Sequence, residues 1–252
     1  MVDLLALILI GSVVVFLAGL TQGVTGFGFA LVSAPIMVIF FSPKVVVPIV
    51  VTYGVLISLV IVVECRRWLD LRRILPLMIS GLAGIPVGVY LLAVLEGGTL
   101  KVLIGAVITL FALAILTGFQ KPVENEKLAF GPVGFLSGVL GGSTSMGGPP
   151  AVLFFANQGV EKQTFRANLV AYFLVLSIGA VAAFILNGLV TEEVTYYTAT
   201  FLPAMALGAF TGIKLANKVE EEFFQRTVLF VVIIAGILSV ASGLGLFNIS
   251  LS

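Results

Sequence analysis

The hydrophobic and polar positions of this chain are segregated into long uncharged stretches separated by short charged clusters. A membrane-spanning helix needs about 20 apolar residues, with a range of roughly 17–25. Six of the uncharged stretches have this length, namely residues 45–63, 74–95, 102–120, 167–191, 194–213 and 227–252. The pattern therefore predicts six single spans, with the charged clusters in the loops between them.

Two further stretches have the wrong length for simple spans. Residues 4–43 and 128–160 are roughly 40 and 33 residues long, too long for one crossing and tight for two crossings plus a turn. Each contains a glycine-rich segment of small polar residues, at 21–28 and at 141–150. We predict that helix stops and restarts there, giving helix–break–helix hairpins with arms of about 17 and 14 residues in the first.

The two glycine-rich segments belong to an internal repeat. Their glycines correspond at an offset of 119 residues, in the pairs Gly19 and Gly138, Gly23 and Gly142, and Gly28 and Gly147. Farther along, residues 84–88 align with residues 208–212 at an offset of 124. We predict two copies of a unit of roughly 120 residues, 1–120 and 128–252, joined by a linker at 121–127 within one membrane domain.

The basic residues lie in opposite loops of the two repeats. In the first repeat the loop 64–73 holds four arginines and the turn 96–99 holds no basic residue. In the second repeat the turn 187–194 has no basic residue, and the segment 214–226 has three. Because basic residues favour the cytoplasmic side, this pattern predicts inverted repeats, each a broken-helix hairpin followed by three spanning helices. The alternative is eight plain spans in two parallel halves, with glycines that serve only tight packing.

Composition narrows the class of protein. Of 252 residues, 60% are hydrophobic and 10% are charged, whereas a soluble domain has about 25% charged residues. With a net charge of +1, the chain lacks the positive charge that binding to a nucleic acid requires. The chain has no histidine and one cysteine, which excludes an internal disulfide and histidine-based metal or general-base chemistry. We expect an all-α integral membrane protein with about eight transmembrane segments, without a cofactor and without enzymatic activity.

The two breaks are the predicted site of chemistry. Backbone groups exposed by a broken helix inside a membrane cost several kcal/mol each when unsatisfied, so protein, water or a ligand must meet them. A restarting helix offers free N–H groups and a partial positive charge, and nearby hydroxyl and amide groups donate to oxyanions. We therefore predict that a small oxyanion binds near the membrane midplane, where the two breaks meet. The alternative is that the serine and threonine residues only cap the helices.

The predicted substrate-binding residues come from both breaks and from the stretch that follows the second. They are Gln22, Thr25, Gly26, Phe27, Gly28, Ser143, Thr144, Ser145, Gly147, Arg166 and Asn168. Arg166 either faces a cavity and attracts the anion or lies at the interface and anchors the helix. No acidic residue lies in the middle of a stretch, so coupling through a buried carboxylate is disfavoured. Facilitated efflux, or movement of a proton on the substrate itself, is more compatible with this absence of buried acidic residues.

The glycine pattern resembles a known family. Gly19-x3-Gly23-x2-Gly26-x-Gly28 with Pro35 downstream, echoed by Gly138-x3-Gly142-x4-Gly147-Gly148-Pro149, is similar to the TauE/SafE family of sulfite and organosulfonate exporters. The resemblance covers nearly the whole chain. It implies a multi-pass transporter of small sulfur-containing anions, such as sulfite, sulfoacetate or other sulfonates, in the bacterial inner membrane.

One branch of that superfamily imports thiosulfate through an hourglass of opposed hairpins and uses cysteines along its path. The single cysteine of this chain, Cys65, lies in a charged loop, so a cysteine relay does not carry over. The expected partners are a small anionic substrate and the lipid bilayer. The sequence leaves open the exact substrate, the direction of transport and the coupling to ions. It also leaves open the oligomeric state, for which a homodimer is one alternative. A channel-like facilitator for small anions or another small solute is the alternative function.

Overall fold

The computed structural model describes residues 4–117, 126–156, 161–215 and 221–246. These residues form ten α-helices and a short 3₁₀ helix at Arg66–Trp68, with no strand among them. The first half comprises α1 (Leu4–Thr25), α2 (Phe29–Phe40), α3 (Pro43–Cys65), α4 (Leu71–Val94) and α5 (Gly97–Leu116). The second half comprises α6 (Glu126–Thr144), α7 (Gly148–Ala156), α8 (Lys162–Leu186), α9 (Glu192–Leu215) and α10 (Glu221–Gly243).

Six of the described helices are long and apolar enough to cross a membrane: α1, α3, α4, α5, α8 and α9. Five of them coincide with predicted spans, and the sixth, α1, is the first arm of a predicted hairpin. The described apolar part of α10, Val232–Gly243, is shorter than a span. The described part of the chain is thus helical and indicates a multi-pass integral membrane protein, while the count of about eight segments stays a prediction. The predicted linker 121–127 lies mostly outside the described residues.

Helix is interrupted in both over-long stretches, as predicted. The first break separates Thr25 from Phe29, and the second separates Thr144 from Gly148. The arm lengths differ from the expected 17 and 14, because α1 has 22 residues and α2 has 12. Helix α1 continues through its earlier glycines, and the positive φ angles of 82° at Gly26 and 108° at Gly28 end it.

Among the described residues, the four most extensive helix pairs each join one helix of the first half to one of the second. Helix α1 packs along α9, α4 along α6, α5 along α10 and α3 along α8. In the first three pairs the backbones approach closely at glycines. Added Cβ atoms at Gly138, Gly212 and Gly105 would lie 1.9, 2.3 and 2.4 Å from a carbonyl oxygen of the partner helix. Small residues permit this approach within a membrane, so these glycines hold the two halves together.

Gly138→Ala is expected to destabilise the chain by about 1–3 kcal/mol, because the new methyl group overpacks the contact between α4 and α6. Thermal unfolding in detergent measures the effect. Gly131→Ala on the same helix is the matched control, since an added Cβ there has nothing within 4 Å. The control should be neutral or slightly stabilising, because alanine favours helix over glycine. Equal unfolding temperatures for the two variants would contradict the packing role.

Candidate functional site

A cavity of about 90 Å³ lies between the two breaks. Both breaks contribute to its lining, through Gln22, Phe27, Gly28, Ser145, Met146 and Gly147. The rest of the lining comes from α2, α3, α7 and α8, with one residue each from α4, α5 and α6. A cavity holds one water at about 10–15 Å³, so this one has room for a small polyatomic ion. The structure thus brings together two segments that lie 119 residues apart in the sequence.

The described lining of the cavity is neutral. Four polar side chains face it, those of Gln22, Ser58, Ser145 and Ser177, and the other lining residues are apolar or glycine. Gln22 is 4% exposed and Ser58 is fully buried. The amide nitrogen of Gln22 donates to the Ser58 hydroxyl at 3.4 Å, a long hydrogen bond. The cavity therefore offers amide and hydroxyl groups within an apolar wall.

Helix α2 begins at the cavity. Its first-turn residues Phe29, Ala30 and Leu31 line the cavity, and no described side chain caps them. The first N–H groups of a helix have no partner within it and carry a partial positive charge. Helix α7 begins with Gly148 followed by two prolines, which have no N–H. Backbone donors are therefore concentrated at the start of α2.

Thr25 and Thr144 build the turns at the two breaks. Each hydroxyl lies within hydrogen-bonding distance of the carbonyl oxygen four residues earlier, at 2.9 and 2.7 Å. Each hydroxyl also accepts a hydrogen bond from the N–H group two residues later, at 3.3 Å in both breaks. Neither residue lines the cavity, and neither does Ser143, whose hydroxyl donates to the Val139 carbonyl at 2.7 Å. These hydroxyl groups hold the backbone of the breaks in shape.

Two serines of the cavity were missed by the sequence analysis. Ser58 lies in α3 and Ser177 lies in α8, the two helices that follow the hairpins. They are 119 residues apart, the same offset as the paired glycines of the breaks. Extending the repeat comparison to polar residues within the spans would have found them. A third serine, Ser137, donates its hydroxyl to the Gly147 carbonyl and so fixes the second break.

Arg166 lies behind the first break and does not line the cavity. Its Nη2 donates to the Gly23 carbonyl at 3.4 Å and lies 4.0 Å from the Glu64 carboxylate. An added Cβ on Gly26 would lie 2.8 Å from the Arg166 Cγ, so the side chain packs directly against the turn. The guanidinium group thus meets the C-terminal end of α1, where carbonyl groups lack partners within the helix.

Asn168 joins the same side of the molecule to the start of α4. Its Oδ1 accepts the Asp70 N–H at 2.9 Å, while its buried Nδ2 has no hydrogen-bond partner among the described residues. Asn168 does not line the cavity. Of the eleven predicted residues, five border the cavity, namely Gln22, Phe27, Gly28, Ser145 and Gly147, and the others lie around the turns or behind the first break.

Arg166→Gln is expected to lower stability by about 1–2 kcal/mol, because the Gly23 carbonyl loses a charged donor at a helix C-terminus. Thermal unfolding in detergent measures the effect. Arg67→Gln, at an exposed arginine near the Trp68 ring, is the control. An unfolding temperature equal to that of the control would contradict this role of Arg166.

Comparison of the chain with protein-family models identifies its family. The family model described as Sulfite exporter TauE/SafE matches residues 11–239. The chain belongs to the TauE/SafE sulfite exporter family. The match begins within α1 and ends within α10, so it includes both breaks and the whole described cavity lining. No curated protein and no solved structure matches the chain.

Membership in TauE/SafE confirms the resemblance seen in the glycine pattern. It agrees with the six apolar helices, which make the chain a multi-pass membrane protein. TauE/SafE is a transporter family, and this points away from an enzyme.

Proposed function

We propose that this TauE/SafE chain transports small sulfur-containing anions, such as sulfite, sulfoacetate or other sulfonates, and binds them between the two breaks. The observation that carries the proposal is that residues of both breaks line one and the same cavity. The description of the family, a sulfite exporter, supports the substrate class and the outward direction. A bacterial inner membrane is the proposed location, with the arginine-rich segment 66–73 on the cytoplasmic side.

The proposed anion accepts hydrogen bonds from neutral donors. The Gln22 amide, the Ser58 and Ser177 hydroxyls and the first N–H groups of α2 surround the cavity. Hydrogen bonds to a charged acceptor are about twice as strong as those between neutral groups. Thr25, Gly26, Ser143 and Thr144 act by shaping the turns, and Arg166 and Asn168 act by holding the helices around them.

The helix pairing supports inverted repeats. Exchange of the two halves converts the α1–α9 pair into the α6–α4 pair, and it maps α3–α8 and α5–α10 onto themselves. Together with the opposite charge bias of equivalent loops, this pairing favours a two-fold axis in the membrane plane. The two breaks then approach the substrate from opposite sides, and access alternates between them.

Transport in liposomes tests the proposal. The purified chain, reconstituted into vesicles loaded with labelled sulfite or methanesulfonate, should release the anion faster than protein-free vesicles. Flux that saturates with concentration and shows counterflow indicates a carrier. Large single-channel currents indicate the alternative function, a channel-like facilitator. Absence of flux for sulfite and for every sulfonate tried would contradict both.

Ser58→Ala and Ser177→Ala should each raise the half-saturating substrate concentration about tenfold, because a hydrogen bond to a charged group contributes about 1.5–3 kcal/mol. Flux against substrate concentration gives the value. Ser239→Ala is the matched control. Ser239 is fully buried, as Ser58 is, but its hydroxyl donates to the Lys101 carbonyl at 2.8 Å, away from the cavity. Unchanged half-saturation in both cavity variants would show that the anion is not bound here.

A further inference from the structure

The lining of the cavity places a limit on the charge of its occupant. The described lining residues include no charged side chain, and most of the wall is aliphatic or aromatic. Phe27, Phe29, Phe111 and Phe173 all face the cavity. The free energy of moving an ion from water into such surroundings rises with the square of its charge. Neutral donors therefore compensate a single negative charge far more readily than two.

Charged groups near the cavity are already paired or directed elsewhere. Arg166 and Glu64 lie behind the first break with their charged atoms 4.0 Å apart, so the arginine has an acidic partner there and does not line the cavity. On the lining helices α3 and α5, the ammonium groups of Lys44 and Lys101 donate to the Ala93 carbonyl at 2.7 Å and the Ser242 hydroxyl at 3.2 Å. No unpaired positive charge among the described residues faces the cavity to balance a dianion.

Two tyrosines, which are neutral at physiological pH, also pack against lining residues. Tyr53 packs edge-on against Phe29, with 5.7 Å between ring centroids, and its hydroxyl donates to the Thr198 carbonyl at 2.5 Å. Tyr172 packs against Phe173 at 5.7 Å. The chain has no histidine, so no side chain ordinarily titrates near neutral pH. The charge of the cavity is therefore constant across the range in which sulfite changes its own charge.

We infer that the site accepts singly charged anions and excludes dianions. This inference rests on the proposed function and names the form of the substrate. Sulfite is then carried as hydrogensulfite, which brings its own proton, while sulfonates are singly charged throughout. The Gln22 side chain has both a donor and an acceptor, so it can match the hydroxyl and the charged oxygens of hydrogensulfite. The proton moves across the membrane on the substrate and needs no buried carboxylate.

The experiment compares two substrates at two pH values in liposomes with equal pH inside and outside. Sulfite flux is measured at a fixed, subsaturating total concentration, one unit below and one unit above the second pKa of sulfite. Because the singly charged fraction falls about tenfold over this range, sulfite flux should fall about tenfold. Methanesulfonate, which keeps one charge, should give equal flux at both values, and sulfate should not be transported. Protein-free vesicles supply the leakage to be subtracted.

Three results would overturn the inference: sulfite flux that is equal or greater at the higher pH, sulfate flux comparable to that of methanesulfonate, or methanesulfonate flux that falls in parallel with sulfite. A failure of the proposed function looks different, because neither sulfite nor methanesulfonate would then be transported at either pH.

An imposed membrane potential gives an independent measure of the charge that moves. The logarithm of the flux should depend on the potential equally for sulfite and methanesulfonate, because both move as single charges. A dependence twice as steep for sulfite as for methanesulfonate would show that the dianion is carried, and would overturn the inference.

Discussion

Gln22→Glu is expected to lower methanesulfonate transport at least a hundredfold at pH values above neutrality. Gln22 lines the cavity and is 4% exposed, so the introduced carboxylate would repel the bound anion in surroundings that screen charge poorly. Two like charges 4 Å apart repel by about 4 kcal/mol at an effective dielectric constant of 20, which corresponds to roughly a thousandfold in affinity. Flux into liposomes is the measurement.

The pH dependence of this variant separates repulsion from misfolding. Acid protonates the introduced carboxyl group, removes its charge and should restore much of the methanesulfonate flux, since the substrate remains singly charged. Gln163→Glu is the matched control, because Gln163 is exposed near the start of α8 and should tolerate the same change. Wild-type flux in Gln22→Glu at high pH would mean that the anion does not pass Gln22.

Gly28→Ala is expected to lower the transport rate per folded molecule by about tenfold or more. Gly28 has a φ of 108°, which side-chain-bearing residues rarely adopt, and a residue held there costs about 1–3 kcal/mol. An added Cβ would lie 3.1 Å from the Thr21 methyl group. The turn should therefore shift and carry the first N–H groups of α2 away from the cavity. Flux normalised to folded protein is the measurement.

Gly188→Ala provides the control for backbone strain alone. Gly188 also has a positive φ, 68°, but an added Cβ has nothing within 4 Å and the residue lies at the end of α8, outside the cavity lining. This variant should lose stability without losing transport. Normal transport kinetics in Gly28→Ala would contradict the proposed role of the first break.

The spans were predictable because charge marks their ends. A charged side chain is costly within a bilayer, so the limits of α3, α4, α5, α8 and α9 follow the charged clusters within a few residues. The breaks were predictable because glycine and proline interrupt helix locally. The lengths of the hairpin arms were not predictable in this way. Helix α1 runs through Gly19 and Gly23 because the α9 backbone packs against them, and that contact has no local signal.

The position of the site was predictable from the sequence, but only some of the residues that line it were. Gln22 and Gly28 line the cavity as expected, because the breaks that carry them were recognised. Thr25 and Thr144 were chosen for their hydroxyl groups, but the turn geometry engages those groups in the backbone. Ser58 was missed because a single serine inside an apolar helix does not reveal which neighbour it faces.

The pairing of helices between halves has a consequence for biosynthesis. Helices α1 and α4 pack mainly on α9 and α6, so their principal partners belong to the half that is synthesised later. The first half therefore enters the membrane with glycine-lined faces that only lipid can cover until translation continues. The packing of α1 and α4 is therefore completed only after the second half has been inserted.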